Sequence, residues 1–137
     1  IVHGDYRLDN MILKDNQVMG ILDWELSTLG HPIADFSYHC LSWRTQEAFW
    51  DQSKLKELGI PNEREYMDMY CENTGKDLSK NWEFYMAFNM FKIAGILQGI
   101  LGRVRDGTAS SKHAEDRGMM VYPLSEAAWN TIKENLL

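Results

Sequence analysis

The first 25 residues carry a spacing of polar side chains that constrains the fold more than any other feature of this sequence. His3, Asp5 and Asn10 fit the pattern H-x-D-x-x-x-x-N, and Asp23 follows Asn10 after thirteen residues. Between Asn10 and Asp23, two short apolar runs flank the turn residues 14–17, which predicts a small antiparallel hairpin. A hairpin returns the chain to the edge that it left, so we expect Asn10 and Asp23 to lie close together.

These residue types suit the transfer of a phosphoryl group from a nucleotide. That reaction needs a carboxylate that orients and deprotonates the acceptor hydroxyl, and oxygen ligands that hold Mg²⁺ on the phosphates. Asp5 suits the first task, and Asn10 and Asp23 suit the second. With Gly4 between His3 and Asp5, the pattern arises by chance in roughly one chain in a thousand of this size and composition. A solvated loop of turn-forming residues is therefore the less favoured interpretation.

The rest of the chain is predicted to be helical, which makes the fold class mainly α with a small β-hairpin near the N-terminus. Apolar residues recur at helical spacing after Pro32, and residues 44–60 fit a loop and a short helix. Asn62 and Glu65 form an N-capping pair that opens a helix, and Gly75 stops it.

The longest helical pattern covers residues 79–105 and is apolar almost all round, which predicts a central buried helix. Gly95, Gly99 and Gly102 weaken such a helix intrinsically, but their spacing would permit close approach of another backbone. One or two further helices follow, with a break near Pro123.

Composition narrows the expected partners and location. At 137 residues the chain fits one domain, 1–137, and its net charge of −6 gives no general attraction for nucleic acid or anionic membranes. No uninterrupted apolar run approaches the roughly 18 residues of a membrane span, and no signal-peptide pattern opens the sequence. Cys40 and Cys71 lack metal-site spacing, so we expect a reducing, cytoplasmic location.

The residues from His3 to Asn10, together with Leu22-Asp23-Trp24-Glu25, resemble the signature of the aminoglycoside phosphotransferase/choline kinase family. Residues 26–36 and Ile96-Leu97-Gln98-Gly99 with Arg103 narrow the resemblance to one branch. That branch contains bacterial stand-alone phosphotransferases and the kinase-like domain fused to some acyl-CoA dehydrogenases.

The resemblance implies the C-terminal lobe of a protein-kinase-like (α+β) fold. The catalytic and metal loops with the hairpin would occupy residues 1–30, and a helical subdomain would occupy 31–137. Members of the family also have an N-terminal lobe with a nucleotide loop and a phosphate-binding lysine, and nothing precedes Ile1 here. We therefore expect a C-terminal lobe without its N-terminal lobe, which alone binds ATP weakly, turns over negligibly and self-associates through exposed apolar surface.

The resemblance also implies roles for individual residues. Asp5 falls on the catalytic base, and Asn10 and Asp23 fall on the Mg²⁺ ligands. The supporting positions are Glu25, a further acidic residue near the metal, His3, which braces the loop, and Asp35, which anchors it.

Arg7 lies inside the motif but outside its chemistry. It could meet a substrate anion, but we favour a pairing with Asp9 or Asp35 that supports the loop.

The function expected is that of an ATP-dependent phosphotransferase that uses Mg²⁺ and phosphorylates a hydroxyl of a small molecule. The resemblance offers aminoglycoside-like, choline-like and hydroxyacyl-CoA acceptors, and no residue in the sequence selects among them. Two alternatives belong to other classes. One is a non-catalytic, pseudokinase-like binding module. The other is a metal-dependent phosphohydrolase built from His3, Asp5, Asp23, Glu25 and His31.

Overall fold

The computed structural model describes residues 1–45 and 52–137. Within them lie a two-stranded antiparallel sheet and six α-helices. The strands are β1 (Met11–Lys14) and β2 (Gln17–Ile21), and the helices are α1 (Pro32–Cys40), α2 (Gln52–Glu57), α3 (Glu63–Thr74), α4 (Trp82–Arg105), α5 (Ala114–Met119) and α6 (Val121–Asn135). The prediction of a mainly helical fold with one small hairpin near the start is confirmed.

The chain divides into two compact units, Ile1–Trp82 and Glu83–Leu137. The first unit contains the hairpin and α1 to α3, and the second contains nearly all of α4 with α5 and α6. Compact cooperative units occur within single domains. The expectation of one domain over residues 1–137 therefore stays a prediction.

The hairpin closes through a two-residue turn. Asp15 and Asn16 have φ angles of 51° and 59°, the left-handed values that a tight hairpin turn requires and that Asp and Asn tolerate best among residues with a side chain. Beyond the paired strands, the Leu22 amide donates to the Asn10 carbonyl at 2.8 Å. The hairpin thus brings Asn10 next to the residue before Asp23, as the sequence predicts.

Local signals also define the ends of α3. The Asn62 side chain accepts from the Glu65 amide, the Glu65 carboxylate accepts from the Asn62 amide, and both distances are 2.9 Å. Gly75 ends the helix with φ of 67°. The short helix predicted within 44–60 is α2, and residues 46–51 of the predicted loop lie outside the described residues.

An aromatic contact fixes α1 against α3 in the first unit. Phe36 of α1 is buried and stacks on Tyr70 of α3 with ring centroids 3.9 Å apart. Tyr66 and Trp82 lie 5.3 and 5.6 Å from the same ring. Aromatic pairs at these separations stabilise beyond their buried area. This packing holds the helix that carries Asp35.

The prediction that residues 79–105 form a central buried helix is wrong in one respect. The helix is present as α4, but only one of its faces is buried. Phe84, Phe88 and Phe91 are 52%, 50% and 73% exposed. By length and apolar composition alone α4 could also cross a membrane, which is weak evidence because core helices of soluble proteins meet the same criterion.

The glycines of α4 do not make the close backbone approach that their spacing suggests. A Cβ placed on Gly95, Gly99 or Gly102 would have no described atom within 4 Å beyond the neighbouring helix backbone. The close approach in this unit lies at Gly118 of α5, where a Cβ would be 2.6 Å from the Leu101 side chain. The break before the last helix lies at Met120, and Pro123 sits in the first turn of α6, where proline is tolerated.

Candidate active site

The loop from His3 to Asn10 is fastened to the first turn of α1. The Asp35 carboxylate accepts hydrogen bonds from the backbone amides of His3 and Gly4, the latter at 2.7 Å. Gly4 has φ of +85°, and a Cβ there would lie 2.5 Å from the carbonyl oxygen of Leu26. Only glycine fits this position, because both the backbone conformation and the space exclude a side chain.

His3 connects the loop to the end of β2. The residue is 2% exposed, its Nε2 lies 2.7 Å from the Leu22 carbonyl oxygen, and its Nδ1 accepts from the Asp5 amide at 3.2 Å. Because Nδ1 accepts, Nε2 is the nitrogen that donates to the Leu22 carbonyl oxygen. Trp24 packs beside the ring at 4.7 Å between centroids. His3 therefore links the backbone around Asp5 to the segment that carries Asp23.

Two donors hold the Asp5 carboxylate. Tyr38 of α1 donates its hydroxyl to Oδ1 at 2.7 Å, and the Asn10 amide nitrogen donates to Oδ2 at 3.0 Å. The same Asn10 nitrogen donates to the Asp5 carbonyl at 2.9 Å. With a donor at each oxygen, the carboxylate is fixed in one orientation.

Tyr38 is the residue at this site that the sequence analysis does not anticipate. Burial, followed by the hydrogen bond to Asp5 and its negative charge, raises the pKa of Tyr38 to about 12. The phenol is therefore a neutral donor at physiological pH. Tyr38 stands three residues after Asp35 on α1, so both side chains share a helix face, and that spacing is the signal that could have identified it.

Arg7 pairs with Asp9 rather than with Asp35. Both side chains are more than half exposed, and exposed pairs of this kind contribute little stability. The Arg7 guanidinium also interacts electrostatically with Asp5 and Tyr38, so it belongs to the electrostatic surroundings of the loop.

Asn10, Asp23 and Glu25 supply the oxygen atoms expected for a metal. Both side-chain hydrogen bonds that the structure shows for Asn10 use its nitrogen, so Oδ1 is the atom that could ligate a metal. Asp23 is exposed in the left-handed conformation, with φ of 63° and ψ of 55°, and Glu25 is exposed in the short turn that follows.

This donor set fits Mg²⁺, which commonly takes one or two carboxylates and completes its shell with water and phosphate oxygens. Among the described residues no group of three or more His, Cys, Asp or Glu side chains could by itself hold a metal ion. The residues present therefore suit a cation shared with a phosphorylated substrate.

The histidines of α1 serve the local structure. The Nδ1 of His31 accepts from the Ile33 amide at 3.3 Å and caps the helix. His39 lies among aromatic rings, 5.7 Å from both Tyr6 and Tyr66, and burial lowers its pKa.

Comparison with known proteins places this geometry in a family. Residues 1–70, about half of the chain, match the family described as the phosphotransferase enzyme family. A crystal structure of a Ralstonia eutropha protein assigned as an aminoglycoside phosphotransferase is 48% identical and superposes with a TM-score of 0.86. That match covers 97% of this chain and 42% of the other.

Curated relatives are much longer proteins. Mouse acyl-CoA dehydrogenase family member 10 is 44% identical over an alignment 137 positions long, which covers 95% of this chain and 13% of that protein. Human acyl-CoA dehydrogenase family member 11 is 38% identical over an alignment 132 positions long, which covers 92% of this chain and 17% of that protein. The chain thus spans less than a fifth of the curated relatives it matches, and by its match to the family over half its length it belongs to the phosphotransferase enzyme family.

Proposed function

We propose that this phosphotransferase moves the γ-phosphate of ATP to a hydroxyl of a small molecule, with Asp5 as the base. One observation carries the proposal: the Asp5 carboxylate is held by Tyr38 and Asn10 on a loop that Asp35 fastens to α1. Phosphoryl transfer depends mostly on positioning, and a carboxylate in one orientation is what a catalytic base requires.

In the proposed step, the acceptor hydroxyl donates a hydrogen bond to Asp5 and its oxygen attacks the γ-phosphorus in line. The new oxygen–phosphorus bond forms as the bond to the leaving ADP breaks, and the hydroxyl proton passes to the Asp5 carboxylate. Tyr38 and Asn10 keep the carboxylate directed at the acceptor throughout. His3 has both ring nitrogens engaged with backbone groups, so it supports the loop and does not react.

Asn10 Oδ1 and the Asp23 carboxylate would hold Mg²⁺, with Glu25 as a further acidic residue nearby. When bound, the cation supplies positive charge that neutralises the nucleotide phosphates. The hairpin supports this assignment because it joins the backbones of Asn10 and Leu22 at 2.8 Å.

The names of the relatives suggest which classes of alcohol could accept the phosphate. The solved relative is assigned as an aminoglycoside phosphotransferase, and the curated relatives are named as acyl-CoA dehydrogenases. Aminoglycoside-like, choline-like and hydroxyacyl-CoA alcohols are therefore the acceptors to screen.

The test uses a parent protein that carries this chain together with an N-terminal lobe. It is screened with Mg²⁺ and ATP against these three acceptor classes, and Asp5→Ala is then made in it. We expect one class to be phosphorylated and Asp5→Ala to lower kcat by about 10²–10⁴-fold, the usual contribution of a positioned base, while ATP affinity stays nearly unchanged. Asp68→Ala, which removes an exposed carboxylate of α3, serves as the matched control and should leave kcat unchanged.

Two outcomes would contradict the proposal. ATP binding without transfer to any acceptor would identify a non-catalytic module. Hydrolysis of a phosphate ester with metal and no nucleotide would identify a phosphohydrolase.

A further inference from the structure

A pocket in the second unit is lined by two arginines and two serines among small and apolar residues. Its volume is about 140 Å³, several times the ~30 Å³ that one water molecule occupies in the liquid. Residues that line it include Arg103 of α4, Arg117 of α5, and Ser110 and Ser111 of the loop between these helices. Ile100 adds an apolar side. The pocket is large enough for a tetrahedral oxyanion.

The two arginines differ from their neighbours in their pairing. Arg105 pairs with Asp106 at 3.1 Å, whereas neither Arg103 nor Arg117 makes an ion pair with any residue that the structure describes. Two arginines thus line one concavity in a chain of net charge −6. Like charges on one small pocket repel, and a bound anion would relieve that repulsion.

The donor set matches a phosphate group better than a carboxylate. Each guanidinium offers a planar fork of N–H donors, and the serine hydroxyls add further donors. The Ser111 hydroxyl oxygen accepts from the His113 amide at 3.3 Å, which leaves its hydrogen to donate. A phosphate carries nearly two negative charges and three or more acceptor oxygens, so it can use both arginines and a serine at once, whereas a carboxylate has one charge and two oxygens.

We propose that the pocket formed by Arg103, Arg117, Ser110 and Ser111 binds a phosphate group, either free or carried by a small organic molecule. The inference is separate from the proposed catalytic function, because none of these residues has a part in the chemistry assigned to Asp5, Asn10 and Asp23. It also gives a role to Arg103, which the sequence analysis singles out and the catalytic reaction does not use.

The test measures phosphate affinity by calorimetry at constant ionic strength in the 137-residue protein and three variants. Arg103→Gln and Arg117→Gln should each weaken the binding of inorganic phosphate by about tenfold or more, since each removes charge-assisted hydrogen bonds. Arg105→Gln is the matched control, because it removes the same charge from a residue that does not line the pocket, and it should bind phosphate as the unaltered protein does. Tighter binding of phenyl phosphate would indicate an organic phosphate as the ligand, and equal binding would indicate free phosphate.

Equal affinities in all three variants, or an equal loss in all three, would overturn the proposal. If a variant fails to fold, the unaltered protein still decides the question. Titration with phosphate should shift the NMR signals of the Arg103 and Arg117 side-chain N–H groups, and unchanged signals at both would refute the site.

Discussion

The loop from His3 to Asn10 and helix α4 are held by different kinds of interaction. The loop is held by individual side-chain hydrogen bonds to residues far away in sequence. The Asp35 carboxylate, for example, accepts from the amides of His3 and Gly4. In α4, each turn is held by the repeating backbone bonds of the helix whatever its side chains face, and several aromatic side chains are exposed. The comparison implies that one substitution in the loop should change activity or stability far more than one on the exposed part of α4.

Removal of the Asp23 side chain should have the largest effect of the changes considered, a loss of Mg²⁺-dependent ATP affinity. Asp23→Gly keeps the left-handed backbone, which glycine adopts freely, and removes the carboxylate. We expect the Mg²⁺-dependent affinity of the parent protein for ATP to fall at least about a hundredfold. Loss of a residue that only supports a metal ligand can already lower metal affinity by about that factor. Glu126→Gly, which removes an exposed carboxylate of α6, should leave that affinity unchanged. ATP affinity retained in Asp23→Gly would exclude Asp23 as a metal ligand.

Gly4→Ala isolates the tight packing of the loop. The new Cβ would meet the Leu26 carbonyl at 2.5 Å and would also strain a backbone with φ of +85°. Gly107→Ala is the matched control because its φ is +70° but no described atom lies within 4 Å of the added Cβ. We expect Gly107→Ala to lower the free energy of unfolding by about 1 kcal/mol and Gly4→Ala by about 2–4 kcal/mol, measured by denaturant titration. Similar losses in both variants would mean that the loop yields more readily than its contacts indicate.

Tyr38→Phe sharpens the same comparison by removing the hydroxyl that donates to the Asp5 carboxylate. We expect kcat to fall by about tenfold and KM to change little, because the hydrogen bond orients Asp5 without touching substrate. Kinetics of the variant against the most active acceptor check this. A rise in KM alone would make Tyr38 a substrate-binding residue.

The raised pKa of Tyr38 adds a pH dependence. The folded protein favours the neutral phenol, so its contribution to stability is fully present below pH about 10 and is lost as the pH rises through about 12. Tyr38→Phe should flatten this part of the stability profile. An unchanged profile between pH 10 and 12 would show that another group controls it.

Gly95→Ala tests the helical side of the comparison and has the smallest expected effect. No described atom beyond the neighbouring helix backbone lies within 4 Å of the added Cβ, so the variant should gain about 0.5–1 kcal/mol of stability from the better helix propensity of alanine. Gly118→Ala is the control with the opposite sign, because its Cβ would lie 2.6 Å from Leu101. A destabilised Gly95→Ala in thermal unfolding would show that Gly95 is covered in solution.

The features that the sequence predicts correctly depend on neighbours within a few residues. Asp15 and Asn16 specify the hairpin turn, and Asn62 and Glu65 cap α3 through mutual hydrogen bonds. Periodicity also predicts α4 as a helix, but it cannot say which face is covered, since the spacing of apolar residues is the same in both cases.

In the candidate site too, the sequence predicts the local features and misses a contact that depends on packing. The spacing of Asp5, Asn10 and Asp23 is visible because the hairpin between them is local. The contact of Tyr38 with Asp5 joins residues 33 positions apart, so it depends on how α1 packs and not on a short motif. Whether these side chains perform the chemistry stays a prediction.

Helix α1 contacts the loop from His3 to Asn10 at two points. Asp35 accepts hydrogen bonds from the loop amides, and Tyr38 donates one to the Asp5 carboxylate. Behind those contacts, Phe36 rests on Tyr70. We therefore expect the helix and the loop to unfold as one cooperative unit, so that the loop loses its geometry when the helix separates from α3. On heating, the orientation of the base should disappear together with the packing of α1, and the site has no separate, earlier transition of its own.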